Sequence, residues 1–270
     1  MTPSILMYHE VEPSSKVDKH YTLSESAFAR QLEWLKRRGF ASSLLDPDWS
    51  VAAFAAEDGQ RRVALTFDDS HVNHYANSLP LLQRHGFTAT FFVVTNHIGQ
   101  DPTWLSHDQL GALARAGMSI QSHTHTHRFL DGLDAASLRD ELIRSKHMIE
   151  DWLGLPVRHL SCPGGRYSRR VLDEAQTAGY LSVSTSVPGL AGDGAAREIA
   201  VLPRFLISGG TTMAQFERAA NAEPAYVRRC RLGYTARRVA KRCLGDRLYQ
   251  RIWQSVFRSD DQRTPVATET

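Results

Sequence analysis

The chain has 270 residues, 42% of them hydrophobic, and carries 32 basic against 29 acidic residues for a net charge of +3. This suffices for one sizeable core with a small extension and requires no second large domain. The three cysteines, Cys162, Cys230 and Cys243, are odd in number and lack paired spacing, which argues against a disulfide framework or a cysteine-based zinc site. No apolar run reaches the length of a membrane span, and the opening residues lack a basic region followed by a long apolar run, so the expected location is cytoplasmic.

Strand-like apolar runs are predicted at 4–9, 63–68, 88–95, 118–122, 160–163, 181–186 and 202–207, and helical patterns lie between them. Ser24 begins one helix in which Phe28, Leu32 and Leu35 recur at helical spacing. Ser106 and Gln109 form a capping-box signature. Asp134 opens a further helix that ends before Gly154, a natural stop. Alternation of strand and helix predicts parallel α/β units.

Two segments carry the chemistry. The apolar run 64–67 ends in adjacent carboxylates, Asp68 and Asp69, and downstream the stretch 122–127 places His123 and His127 four residues apart. Zinc in hydrolytic enzymes takes three protein ligands and leaves a fourth position for water, and His and Asp are suitable donors. One of the two carboxylates can then bind while its neighbour accepts a proton. The motifs fall at the C-terminal ends of predicted strands, where (β/α) barrels build their sites.

Thr66-Phe67-Asp68-Asp69 and His123-Thr-His-Thr-His127 resemble the first two motifs of the polysaccharide deacetylases, the NodB-homology group of carbohydrate esterase family four, over roughly residues 5–207. The resemblance implies a distorted (β/α)7 TIM-like barrel. It also implies that Asp68 is the general base and that Asp69, His123 and His127 hold a divalent metal. Zinc is the expected ion, and cobalt or nickel suits the same donors. His125 matches no ligand position.

The family's third motif corresponds to 161–167, where Pro163 and Gly165 are kept and the Gly164 amide becomes the expected oxyanion donor. The arginine that would orient the base is missing there, leaving Arg166 and Arg204 as substitutes. The family's late histidine motif aligns with 202–207, which contains no histidine. The opening Tyr8-His9-Glu10 instead resembles the biofilm-exopolysaccharide branch, whose circular permutation brings the acid-bearing strand first, so His9 is the expected general acid. Ser70 stands where the family has glycine and is expected to strain or reshape the turn. The tryptophan-bearing fourth motif has no clear match.

The C-terminal segment differs in character. Residues 228–258 hold ten basic residues and one acid, whereas the remainder holds 22 basic and 28 acidic. Interleaved Val239, Leu244, Leu248, Ile252, Trp253 and Phe257 give this segment an apolar face, the pattern of a helix lying on an anionic bilayer. The expected organisation is a barrel over 1–222, a basic amphipathic helical extension over 223–258 and a disordered tail over 259–270. No recognised nucleic-acid module accompanies the basic charge.

The expected activity is metal-dependent removal of N-acetyl groups from hexosamines of a bacterial exopolysaccharide or its lipid-linked precursor, with peripheral contact to the inner membrane face. Two other readings stay open: a binding or scaffolding protein of the same fold that has lost catalysis, and an amidohydrolase acting on a small non-sugar amide.

Overall fold

The computed structural model describes residues 4–13, 21–45, 60–191 and 199–244. Its strands are β1 (Ser4–Tyr8), β2 (Glu10–Glu12), β3 (Thr22–Ser24), β4 (Phe40–Ser42), β5 (Arg61–Phe67), β6 (Thr90–Val93), β7 (Ser119–Ser122), β8 (His159–Ser161), β9 (Ser182–Ser184), β10 (Ala200–Leu202) and β11 (Phe205–Leu206). The main sheet runs β10-β9-β8-β7-β6-β5-β1-β11, with β4 paired onto β5. Every pairing in it is parallel. Such sheets need both faces covered, and helices alternate with the strands accordingly.

The two ends of this path, β10 and β11, are separated in the chain only by Pro203 and Arg204. The sheet therefore curls until its ends meet in one split strand, whose first half bonds β9 and whose second half bonds β1. Counting that split strand once, the ring contains β1, β5, β6, β7, β8 and β9 with it, in agreement with the predicted (β/α)7 barrel. The unbroken strand predicted at 202–207 is corrected by this split. Pro203 has no N–H for a ladder bond, and the Arg204 amide turns aside to the Val187 carbonyl (3.0 Å).

Other boundaries shift for similar local reasons. The strand predicted at 160–163 ends at Ser161, because Pro163 begins a tight turn in which Gly164 (φ 62°) and Gly165 (φ 67°) are left-handed. Gly165 cannot be replaced simply, since a Cβ there would collide with the Ser186 backbone. The three predicted caps are present: Ser24 accepts from the Ala27 amide, Ser106 and Gln109 close a reciprocal box, and Asp134 accepts from Ser137 with Gly154 ending the helix. Two helices that the sequence reading did not name, Arg169–Thr177 and Met213–Ala220, are capped by Ser168 and Thr212.

Aromatic packing sets the floor of the site. Phe67 at the end of β5 stacks on Tyr8 (5.2 Å between centroids) and on Phe91 (4.9 Å), with Phe28 edge-on at 5.8 Å. All four are fully buried, and each such pair adds about 0.5–1.5 kcal/mol beyond area burial. The residues that follow Tyr8 and Phe67 are His9 and Asp68, so this stack fixes where β1 and β5 deliver their polar ends.

The chain divides into two compact units, Met1–Val227 and Arg228–Thr270. In the second, the described residues belong to the helix Pro224–Leu244, on which Leu232 and Val239 are 72% and 55% exposed. The remainder of the predicted basic extension and the tail predicted to be disordered lie outside the described residues. No helix among the described residues is long and apolar enough to cross a membrane.

Candidate metal centre

Asp69 leaves the end of β5 and His123 the end of β7, while His127 sits on the loop beyond. Their donor atoms converge: His123 Nε2 lies 3.2 Å from Asp69 Oδ1, His127 Nε2 lies 3.3 Å from the same oxygen, and the two imidazole nitrogens are 3.2 Å apart. The His123 tautomer is fixed, because its Nδ1 can only donate to the Ser161 carbonyl at 2.8 Å, which leaves a lone pair on Nε2.

Acceptor atoms this close repel one another unless a positive charge sits among them. Burial pushes the Asp69 carboxyl up, but the adjoining His123 and His127 imidazoles outweigh it and hold the group well below the usual carboxylate range. For His123, burial disfavours the charged ring, yet the charges of Asp68 and Asp69 win and raise its pKa. The arrangement thus favours a cation at its centre. A tetrahedral ion about 2.0–2.1 Å from each donor would separate the donors by about 3.4 Å, close to the distances observed, so the donor set fits a divalent metal.

Asp68 stands beside this trio, its Oδ2 3.9 Å from His123 Nε2, and is held from within the barrel. Arg204 donates to both its oxygens, Nη1 to Oδ1 at 2.8 Å and Nη2 to Oδ2 at 2.7 Å, and Ser161 Oγ donates to Oδ2 at 2.9 Å. Burial alone would raise the carboxyl, but the Arg204 charge, helped by His123, lowers it to about 2. Of the two arginines considered as substitutes, Arg204 is therefore the one beside Asp68. Arg166 pairs instead with Asp131 at 3.0 Å and covers the Phe129 ring at 4.7 Å.

His9 follows β1, with its ring 4.9 Å from the Tyr21 ring and its carbonyl accepting from His74 Nε2 at 2.6 Å. Its Nδ1 is buried without a hydrogen-bond partner among the described residues. Burial lowers its pKa, and the charges of Asp69 and Asp68 oppose that shift. Gly164 stands at the end of β8 with φ 62°, where a Cβ would meet the Phe129 ring at 2.8 Å. His125 hydrogen-bonds Thr95 Oγ1 through Nδ1 at 2.8 Å and lies outside the donor trio.

Backbone strain concentrates here. Of five non-glycine residues with positive φ among the described residues, four are Asp69 (83°), Ser70 (67°), Thr124 (70°) and His127 (60°). Ser70 takes up the left-handed conformation that a glycine would adopt freely, and its buried Oγ accepts from the Val94 amide at 2.7 Å. Sequence reasoning did not identify Ser161, whose hydroxyl gives no motif signal, or Glu141, which lies in an ordinary amphipathic helix.

Comparison with known proteins sets the chain beside polysaccharide deacetylases. Residues 55–183 match the profile of the family described as polysaccharide deacetylase. Bacillus subtilis YxkH is 29% identical over 187 residues, covering 69% of this chain and 65% of that protein. The poly-beta-1,6-N-acetyl-D-glucosamine N-deacetylase of Staphylococcus epidermidis is 28% identical over 165 residues, covering 56% of each. The chain thus spans less than two thirds of the length of these relatives. Streptococcus pyogenes deacetylase PplD shares the fold with TM-score 0.73 at 23% identity, over 82% of this chain and 98% of that one. IcaB from Ammonifex degensii does so with TM-score 0.65 at 22% identity, over 84% and 97%.

Proposed function

We propose that this chain, whose residues 55–183 match the polysaccharide deacetylase family, is a metal-dependent hydrolase removing N-acetyl groups from hexosamines of a bacterial exopolysaccharide or its lipid-linked precursor. The observation that carries this is the convergence of Asp69, His123 and His127 within 3.3 Å of one another, beside an Asp68 kept ionised by Arg204. The named substrate of the staphylococcal relative, a β-1,6-linked N-acetylglucosamine polymer, supports the choice of sugar. In this reading Asp69, His123 and His127 hold the ion, with zinc the first choice and cobalt or nickel as replacements.

When bound there, a divalent cation lowers the pKa of water and places positive charge beside a developing oxyanion. The remaining work falls to side chains and backbone. Asp68 accepts the proton of the attacking water. Its Oδ2 lies 3.9 Å from His123 Nε2, beside the trio where that water would sit. As the new C–O bond forms, the Gly164 N–H donates to the oxyanion. His9 then delivers a proton to the nitrogen as the C–N bond breaks, releasing acetate and a free amine. Asp68→Asn should leave metal affinity intact and abolish acetate release, and an active variant would overturn the assignment of the base.

We also propose attachment of the basic C-terminal segment to an anionic membrane surface, which would hold the enzyme at the inner face near a lipid-linked glycan. Ten basic residues against one acid over 228–258, with Leu232 and Val239 exposed between them, support it. Near-surface basic residues contribute about 1 kcal/mol each. Flotation with vesicles containing anionic lipid should recover the whole chain and fail for a chain ending at Asn221; failure of both removes the proposal.

A further inference from the structure

Glu141 lies on the helix Ala135–Leu153, away from the donor trio, and is 4% exposed. Among the described residues it has no Lys or Arg partner. Its carboxylate is spent instead on the loop between the two histidines: Oε2 accepts from the His125 amide at 2.9 Å and the Thr126 amide at 2.8 Å, and Oε1 accepts from Thr126 Oγ1.

That loop is otherwise unfavourable. Thr124 and His127 both have positive φ, and a non-glycine residue in such a region persists only where its surroundings over-determine it. The left-handed turn at Thr124 aims two successive amides to one side, making a concavity suited to an anion. Glu141 is that anion, supplied from the neighbouring helix. Two weaker ties complete the frame: Ser122 Oγ accepts from the Thr124 amide at 3.1 Å, and Thr124 Oγ1 accepts from the His127 amide at 3.1 Å. The same frame leaves His125 directed to Thr95.

We propose that Glu141 is a positioning residue for the metal: its carboxylate holds the His123–His127 loop in the strained shape that brings both imidazole Nε2 atoms to one point. The inference rests on the reading of Asp69, His123 and His127 as the ligands, and its readout is metal affinity and not turnover. Glu141→Gln keeps the shape but puts a neutral carbonyl in place of the charged oxygen that faces the two amides. Losing such an outer partner typically costs about 10–100-fold in metal affinity.

The test is competition of zinc against a chromophoric chelator, with the visible spectrum of the cobalt-loaded protein as a second measure, for wild type, Glu141→Gln and Thr126→Val. The last removes a single donor to Glu141. Tyr180→Phe serves as the control, since it deletes a buried hydrogen bond to the same helix at the Leu142 carbonyl (2.9 Å) and leaves the Glu141 carboxylate and the two amides that it accepts from untouched. Expected are a loss of about 10–100-fold and an altered cobalt spectrum for Glu141→Gln, a smaller loss for Thr126→Val, and neither for Tyr180→Phe. Should Glu141→Gln not fold, the Thr126→Val result decides alone. Unchanged affinity in both loop variants, or an equal loss in Tyr180→Phe, overturns the proposal. A wild type that binds no divalent ion would instead overturn the metal reading itself.

Discussion

Arg204 and Asp68 form a two-pronged pair inside the barrel, with Nη1–Oδ1 at 2.8 Å and Nη2–Oδ2 at 2.7 Å and neither residue more than 2% exposed. The guanidinium comes from the break in the last strand, so the feature that closes the barrel also orients the proposed base. Removing one partner of a buried pair leaves an uncompensated charge and costs about 3–5 kcal/mol. Arg204→Ala should therefore lose stability on that scale in denaturant unfolding. Arg204→Lys, a point charge in place of a planar fork, should retain metal and lose at least about tenfold in turnover, because orientation of the base is lost. A loss under about 1 kcal/mol for the alanine variant would contradict the pair's role.

This pair also shows where the sequence stops being legible. Asp68, Asp69, His123 and His127 were readable because their spacing and the apolar lead-in are local features. Capping residues such as Ser106 and Asp134 were readable for the same reason. The guanidinium partner was not, since residues 136 positions apart are joined only by the closure of the sheet, and Arg166 and Arg204 look alike in a string. The split at Pro203 was missed because 202–207 reads as a continuous apolar run. Ser161 and Glu141 act through groups common on any surface, and only their burial beside the loop distinguishes them.

Ser70 combines a positive φ with a buried hydroxyl that accepts from the Val94 amide. Both Ser70→Ala and Ser70→Gly leave that amide unsatisfied, at about 1–3 kcal/mol, but glycine relieves the left-handed strain. Thermal or denaturant unfolding should rank wild type above Ser70→Gly, and Ser70→Gly above Ser70→Ala by about 1 kcal/mol. An alanine variant as stable as the glycine one would show that the turn carries no strain.

Burial pushes the Cys162 thiol up to about 12, so at pH near 8 only about one molecule in 10⁴ holds the reactive thiolate. Iodoacetamide should leave Cys162 unmodified in the folded protein and label it after denaturation, read by peptide mass spectrometry. Rapid labelling in the native state would mean that the loop 161–167 opens.

The depressed Asp68 carboxyl makes a prediction for the metal-stripped protein. Its pKa falls from 3.8 to about 2 on folding, so its contribution of about 2 kcal/mol is present above the unfolded value and lost as pH drops through the folded one. Unfolding free energies measured between about pH 5 and pH 2 should fall less steeply for Asp68→Asn than for wild type, by about that amount. Parallel curves would show that Asp68 is not held ionised by Arg204.

The central claim is tested most directly by measuring acetate release from N-acetylglucosamine oligomers, β-1,6-linked ones included, with protein stripped by a chelator and reloaded with zinc, cobalt or nickel. The account predicts no release from the stripped protein and release restored by metal. Tight metal binding at Asp69, His123 and His127 with no acetate from any glycan would contradict it.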